Sequence, residues 1–253
     1  MTAPHPIRDS SAGSSMIETL EGRRLLTATL DNGVLLVEGV RRADVIVLSL
    51  DSSDPGLLAV GDNGAVSLFA VGDVGAITIA TGRGNDRIIV DETYGLVTTA
   101  RTINAGLGND TVTGGADRDE IRGEGDNDII SGRGGNDSIF GGSGNDTING
   151  GNGSDRLDGD EGDDLVEGAQ GNDTLRGNDG IDTIYGEADD DFLDGEDGND
   201  LLIAGAGNDT INSGSGDDQA YGNEGNDVLD GDAGVDILDP GPGHDRIDDV
   251  ANE

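Results

Sequence analysis

The sequence contains no cysteine, no tryptophan and no lysine, and only 2% of its residues are aromatic. The lack of cysteine excludes disulfides, thiolate metal sites and a cysteine nucleophile. All fourteen basic residues are arginine, and residues 105–253 set six of them against 40 acidic residues. A phosphate backbone requires a basic patch, so nucleic acid is excluded as a partner. No apolar run approaches the roughly 18 residues of a membrane span. The first thirty residues show no basic start, apolar stretch or cleavage site, so no signal peptide is expected. Neither Gly-x-Ser-x-Gly nor His-Glu-x-x-His occurs, and the chain is not expected to be an enzyme. Neighbouring acidic residues such as Asp163/Asp164 invite comparison with a glycosidase, but a repeat accounts for one member of each group.

What is present is glycine, aspartate and a period. There are 46 glycines in 253 residues and the formal net charge is −39. Such acidity and low hydrophobicity favour disorder. A fixed period favours a solenoid instead. Sixteen aspartates recur at an unbroken spacing of nine: Asp110, Asp119, Asp128, Asp137, Asp146, Asp155, Asp164, Asp173, Asp182, Asp191, Asp200, Asp209, Asp218, Asp227, Asp236 and Asp245. Both tendencies hold if the chain is disordered without a cation and ordered with one.

Two residues after each of these aspartates stands a residue assigned to the core, from Val112, Ile121 and Ile130 through Ala220 to Leu229, Leu238 and Ile247. Before each comes a glycine-rich turn. In the unit Gly141-Gly-Ser-Gly-Asn-Asp146-Thr-Ile148-Asn149, glycines in the first, second and fourth places are expected to take positive φ. The seventh to ninth places are extended, with the eighth pointing inward. Two nonapeptides then form one coil of turn, strand, turn, strand, with coils stacked roughly 4.8 Å apart. Asp128 comes to lie above Asp110, and Asp137 above Asp119. Two bare carboxylates about 5 Å apart repel by roughly 1 kcal/mol even in water. A hard divalent cation reverses that sign. Carboxylate with backbone carbonyl oxygen is the set calcium prefers, whereas magnesium demands a stricter octahedron. Zinc is disfavoured, with no cysteine and with His5 and His244 far apart.

The unit closely resembles the nonapeptide of the RTX (repeats-in-toxin, haemolysin-type calcium-binding) family, a repeat among the known signatures of β-helical arrays. The resemblance covers residues 105–253. It implies an all-β fold, a right-handed parallel β-roll (β-helix solenoid), with multiple Ca2+ ions held by the sixteen aspartates and by loop carbonyls of two stacked turns. Sixteen loops then give two columns of eight, with up to seven interloop sites in each. One buried aliphatic residue per nonapeptide is too little to offset the ordering entropy of nine glycine-rich residues. Folding and calcium binding are therefore expected to be one event.

Residues 1–17 read as a flexible tail and 18–104 as an irregular β-rich N-terminal cap, ahead of the roll at 105–253. Strands are expected at Val34–Val37, Val45–Leu50, Val66–Val71, Ile77–Ala80, Arg87–Val90 and Leu96–Ile103. A short helical turn is expected near Ile17–Leu26. Asp86 and Asp110, 24 residues apart, end similar segments and read as irregular early rungs that cap the array. Leu20-Glu-Gly-Arg-Arg-Leu-Leu26 resembles a segment near the start of some large bacterial surface proteins, which implies surface association. Asp117, Asp126 and Asp189 replace fourth-place glycines, and Ile181 and Val235 replace the polar residue before the aspartate. Each of the three aspartates reads either as an extra ligand or as the mark of a poorly formed loop.

The functional expectation is an extracellular or bacterial cell-surface scaffold that folds on binding calcium. The alternative is the non-catalytic module of a secreted enzyme or adhesin. No threonine occupies the third loop place, which excludes the threonine rows of ice-binding repeats. Sorting outward residues by sheet places Ile129, Leu165, Tyr185, Leu201, Ile203, Tyr221 and Ile237 on one surface. The other carries only Phe140, Phe192 and Val228 as apolar residues. The first surface is the candidate for self-association or for a protein partner.

Overall fold

The computed structural model describes residues 27–39, 42–62 and 65–248. The expected tail, the helical turn near Ile17–Leu26 and the Leu20–Leu26 segment lie outside them. The described chain is almost all strand, with one 3-10 turn at Val71–Asp73. Nonapeptides alternate between two twelve-stranded sheets. Sheet one runs through Asp119–Gly125, Ser138–Ser143 and Arg156–Glu161 to Arg246–Asp248, and sheet two through Thr111–Thr113, Ile129–Gly134 and Thr147–Asn152 to Ile237–Asp239. Neighbours within each sheet are parallel and eighteen residues apart, as in Ile121 against Ile139 and Ile130 against Ile148. This is a β-solenoid with two nonapeptides per coil.

The stacking begins before the regular repeats. In sheet one Leu35 pairs with Ile77, Ile79 with Ile103, and Ile103 with Ile121. In sheet two Ile46 pairs with Ile88, and Ile88 with Val112. Coils of 42 and 24 residues thus precede those of eighteen. The longest accommodates strands Leu57–Asp62 and Ala65–Ala70, which extend sheet two antiparallel from Val45–Leu50. Thr27–Asp31 closes the other sheet as an antiparallel hairpin with Val34–Glu38. Parallel edges are thereby ended by antiparallel ribbons. The strand expected at Leu96–Ile103 lies instead at Arg101–Leu107, because Arg101 is the first residue there to pair with the next coil, at Asp119.

The core is a double file of eighth-place side chains. Every one from Val112 to Leu229 is buried, including Ala220. The last two depart from expectation. Leu238 is only partly buried and Ile247 is 47% exposed, since no later coil among the described residues covers them. The outer faces of the sheets differ in chemistry. Register on sheet one aligns Arg122, Phe140, Asp158, Arg176 and Asp194 across successive strands. Arg122 lies 4.5 Å from the Phe140 ring centroid, Arg156 pairs with Asp158 at 2.6 Å, and Arg176 reaches Asp158 at 3.8 Å and Asp194 at 3.7 Å. Sheet two instead aligns Tyr185, Ile203 and Tyr221, with Leu201 beside them.

The turns show why glycine recurs, and they correct one expectation. Positive φ belongs to the second and fourth places, as at Gly142 (112°) and Gly144 (126°), and not to the first. Nine second places hold a residue other than glycine and still take it, Arg133 at 74° and Asn178 at 74° among them, at a cost of order 1–2 kcal/mol each. Asp126 and Asp189 take it at the fourth place, at 70° and 76°. First-place glycine, present in twelve of the sixteen turns, gives the carboxylate space, and Ala105, Ala204, Ser213 and Pro240 stand in the other four. A β-carbon on Gly168 would stand 2.5 Å from Asp173 Oδ2 and 3.0 Å from the Gly186 carbonyl oxygen. Gly168→Ala is therefore expected to destabilise the calcium-bound protein by about 1–3 kcal/mol. Gln170→Ala, at an exposed third place, should stay within about 0.5 kcal/mol. Chemical denaturation of both variants in calcium makes the comparison, and equal effects would contradict the packing argument.

Candidate metal centre

Each repeat aspartate ends its turn with its side chain directed inward, on the same side as the eighth-place aliphatic residue. Those from Asp110 to Asp227 are at most 4% exposed. One carboxylate oxygen is satisfied by the preceding coil. The Asp128 N–H donates to Asp146 Oδ1, and the Asp146 N–H to Asp164 Oδ1, both at 2.7 Å. The same bond joins Asp119 to Asp137 and Asp137 to Asp155, also at 2.7 Å. Toward the end of each column it lengthens, to 3.0 Å at Asp236 and 3.1 Å at Asp245.

The other oxygen has no protein partner. Oδ2 is buried and unbonded in Asp110, Asp128, Asp137, Asp146, Asp155, Asp164, Asp173, Asp182, Asp191, Asp200, Asp209, Asp218, Asp227 and Asp236. A buried anionic oxygen without a partner is strongly unfavourable. Backbone carbonyls approach it: the point 2.5 Å from Asp191 Oδ2 where a β-carbon on Gly186 would stand is 2.6 Å from Ala204 O. Among the described residues no three carboxylate or imidazole side chains converge. Backbone carbonyls must therefore complete any coordination shell. The donor chemistry is oxygen throughout and carries formal negative charge, which fits calcium. Two of the sixteen aspartates stand apart. Asp245, in the last coil, is only partly buried. Asp119 has both oxygens engaged: Arg101 Nε donates to Oδ1 at 2.5 Å, and Arg101 Nη2 and the Gly115 N–H donate to Oδ2 at 3.2 and 2.9 Å.

This arrangement belongs to a known repeat. Models of the RTX calcium-binding nonapeptide repeat match residues 104–139, 131–166, 140–175, 167–202, 176–211, 193–220 and 212–247, together more than half of the chain. The chain belongs to the RTX calcium-binding nonapeptide repeat family. No curated protein matches it. RTX nonapeptides form a β-roll that binds multiple calcium ions, and that is the activity of this array.

The geometry shows two features that the RTX period did not reveal. The first is a continuation of one aspartate column toward the N-terminus. The Asp110 N–H donates to Asp128 Oδ1, the Asp86 N–H to Asp110 Oδ1 at 2.6 Å, and the Asp44 N–H to Asp86 Oδ1 at 2.7 Å. Asp86 Oδ2 is buried and unbonded like those of the array. Gly39 stands five residues before Asp44, as Gly123 stands before Asp128, and a β-carbon on it would meet Asp44 Oδ2 and Thr81 O, each at 2.6 Å. Asp44 was hidden because 42 residues separate it from Asp86. The signal that could have found it is Gly39 five residues before and Ile46 two residues after.

The second is an outer ladder built by the residue before the aspartate. The Asn145 N–H donates to Asn127 Oδ1 at 3.1 Å, the Asp163 N–H to Asn145 Oδ1 at 3.3 Å and the Ile181 N–H to Asp163 Oδ1 at 3.0 Å. This ladder points forward along the chain while the inner one points back, so an Asn-Asp pair clasps both neighbouring coils. Ile181 and Val235 still donate to it, Val235 to Asp217 Oδ1 at 3.0 Å. Lacking a side-chain acceptor, they cannot pass it on. Of the fourth-place aspartates, Asp189 Oδ2 accepts the Gly171 N–H at 3.2 Å, whereas Asp117 Oδ2 is buried without a partner.

Burial, reinforced by neighbouring carboxylates and opposed by the backbone N–H bond, pushes Asp128, Asp137, Asp164, Asp173, Asp191 and Asp200 up to about 7. Burial likewise raises Asp182 and Asp209 to about 6. A carboxyl whose pKa is raised by folding stabilises the fold below its unfolded value, and that stability is lost as pH rises through the folded value. Without metal, the array is thus favoured by acid and opposed at neutral pH; calcium replaces the protons. In chelator, the β-sheet circular dichroism signal is expected to grow as pH falls from about 8 to about 5. In calcium it should already be complete at the upper end. A chelated sample with no gain on the acid side would contradict this.

Proposed function

We infer that the protein is an extracellular, calcium-dependent scaffold, with the calcium ions held by the repeat aspartates and the carbonyls of their stacked turns, apart from Asp119, whose two oxygens Arg101 and the Gly115 N–H already engage. The carrying observation is the file of buried carboxylate oxygens without protein partners. Outside the cell calcium neutralises them and the coil stack forms. In a cytosol poor in calcium the stack stays open, which suits export of an unfolded chain. Residues 105–253 form the calcium-binding roll and 18–104 its cap. Among the described residues no helix is long and apolar enough to cross a membrane. The module is non-catalytic, and as part of a secreted enzyme or adhesin it would serve the same way, as the element that folds on arrival.

A calcium titration tests this reading. With chelator at neutral pH residues 105–253 should lose β signal and protease resistance, and millimolar calcium should restore both. Position in the column sharpens the test. Asp146 is bonded to the coils on both sides, through Asp128 and Asp164, whereas Asp245 is bonded to Asp227 alone. Asp146→Ala should therefore remove more bound calcium than Asp245→Ala, as read by equilibrium dialysis. Equal losses would count against shared interloop sites.

The sheet bearing Leu201, Ile203 and Tyr221 is the contact surface of the scaffold, fitted to a second copy of the chain. The contrast between the faces supports this: sheet one satisfies its outer charges with its own arginines and Phe140, while sheet two aligns apolar side chains. In light scattering in calcium, the wild type should associate, and replacement of Leu201, Ile203 and Tyr221 by serine should leave monomers. A wild type that stays monomeric at high concentration would eliminate this contact.

A further inference from the structure

The start of the Asp119 column differs from every later step. Register places Arg101 directly opposite Asp119, where an aspartate stands in each following coil, and the next residue up the column is Ile77, 1% exposed. The Arg101 and Asp119 side chains are both fully buried. The guanidinium grips the carboxylate with Nε on Oδ1 at 2.5 Å and Nη2 on Oδ2 at 3.2 Å. Its remaining contacts are backbone carbonyls: Nη2 donates to Asp117 O at 3.0 Å and Nη1 to Val97 O. Asp117 is the fourth place of the Asp119 turn, and Val97 stands four residues before Arg101 as a second-place residue stands before its aspartate. A carboxylate and turn carbonyls from two stacked coils are the oxygen set that the metal reading assigns to calcium. Gly115 leaves room for the arginine, since a β-carbon there would lie 2.6 Å from Nη2.

We propose that the Arg101 guanidinium is a built-in cation that takes the first ion position of the Asp119 column, so that the coils of Arg101 and Asp119 are joined without metal and template the calcium-driven folding of the coils behind them. The other column continues instead through Asp86 and Asp44 as carboxylates. A planar guanidinium suits the post because it stays charged when buried and matches a carboxylate two-pronged. Being covalently attached, it is present at any calcium concentration. This inference rests on calcium being held between stacked aspartates.

The test converts the position to the residue of the repeat. Calcium bound by the full-length wild type and by Arg101→Asp is counted by native mass spectrometry in calcium. The variant is expected to bind one ion more than the wild type, which a merely structural arginine would not produce; equal counts overturn the proposal. If the wild type itself binds no calcium, it is the metal reading that fails. A second measurement stands should Arg101→Asp not fold. In chelator, amide hydrogen exchange of the wild type should show strands Arg101–Leu107 and Asp119–Gly125 protected above the mid-array strand Phe192–Asp197. Arg101→Met should lose that difference. Uniform exchange across the three wild-type strands overturns the proposal.

Discussion

The constraint on which this structure depends is the burial of like charges in single file. An eighteen-residue coil in exact register returns every aspartate to the same place, and the thin section of the roll leaves that place away from water. One oxygen of each carboxylate, Asp119 excepted, accepts a backbone N–H from the coil before it. The other can be satisfied only by a cation or a proton, and the raised pKa values register that need. The preference for glycine at the first place follows from the same geometry, since a β-carbon on a residue such as Gly168 would press on the carboxylate and on a carbonyl of the next coil. So does the acidity of the chain: the composition that would keep a linker disordered is here the ligand supply.

The period of nine made much of the fold legible. It determines the eighteen-residue register, the double file of core residues and the distribution of outward residues between the sheets, because a strict repeat turns sequence spacing into spatial position. What was not legible lies where the period stops or where chemistry is carried by space. Glycine at the first and second places looks alike in sequence, yet one is needed for room and the other for a left-handed backbone. Asn145 lies within a glycine-rich turn, but its bond runs to a coil eighteen residues away. Asp86 was legible as an early rung, but Asp44 sits on a coil lengthened by a longer insertion, which breaks spacing while conserving stacking. Arg101 gave no signal as the partner of Asp119 because it falls before the first repeat.

The two ends of the array are terminated by different physics. At the C-terminal end of the described residues the burial falls off gradually: longer aspartate bonds, a partly buried Leu238, an exposed Ile247. At the N-terminal end the coils lengthen and antiparallel ribbons cover the edges of both sheets. There the core also grows richer, with Leu35, Val37, Ile46 and Leu48 fully buried beside Ile77 and Ile88. Apolar burial takes over as carboxylates thin out.

A stack in which each coil touches only its neighbours folds by extension from whichever end is already ordered. Nucleation is the costly step, since the first coil pair must be ordered before any interloop site exists for an ion to fill. An end with its own apolar core and a covalently attached positive charge on the first aspartate of one column removes that obstacle on one side only. Growth then has a direction, from the N-terminal coils toward Asp245. Each added coil exposes the carboxylate on which the next ion and the next backbone N–H must close. The longer aspartate bonds of the C-terminal coils are consistent with that order, because coils far from the nucleus need only follow those already formed.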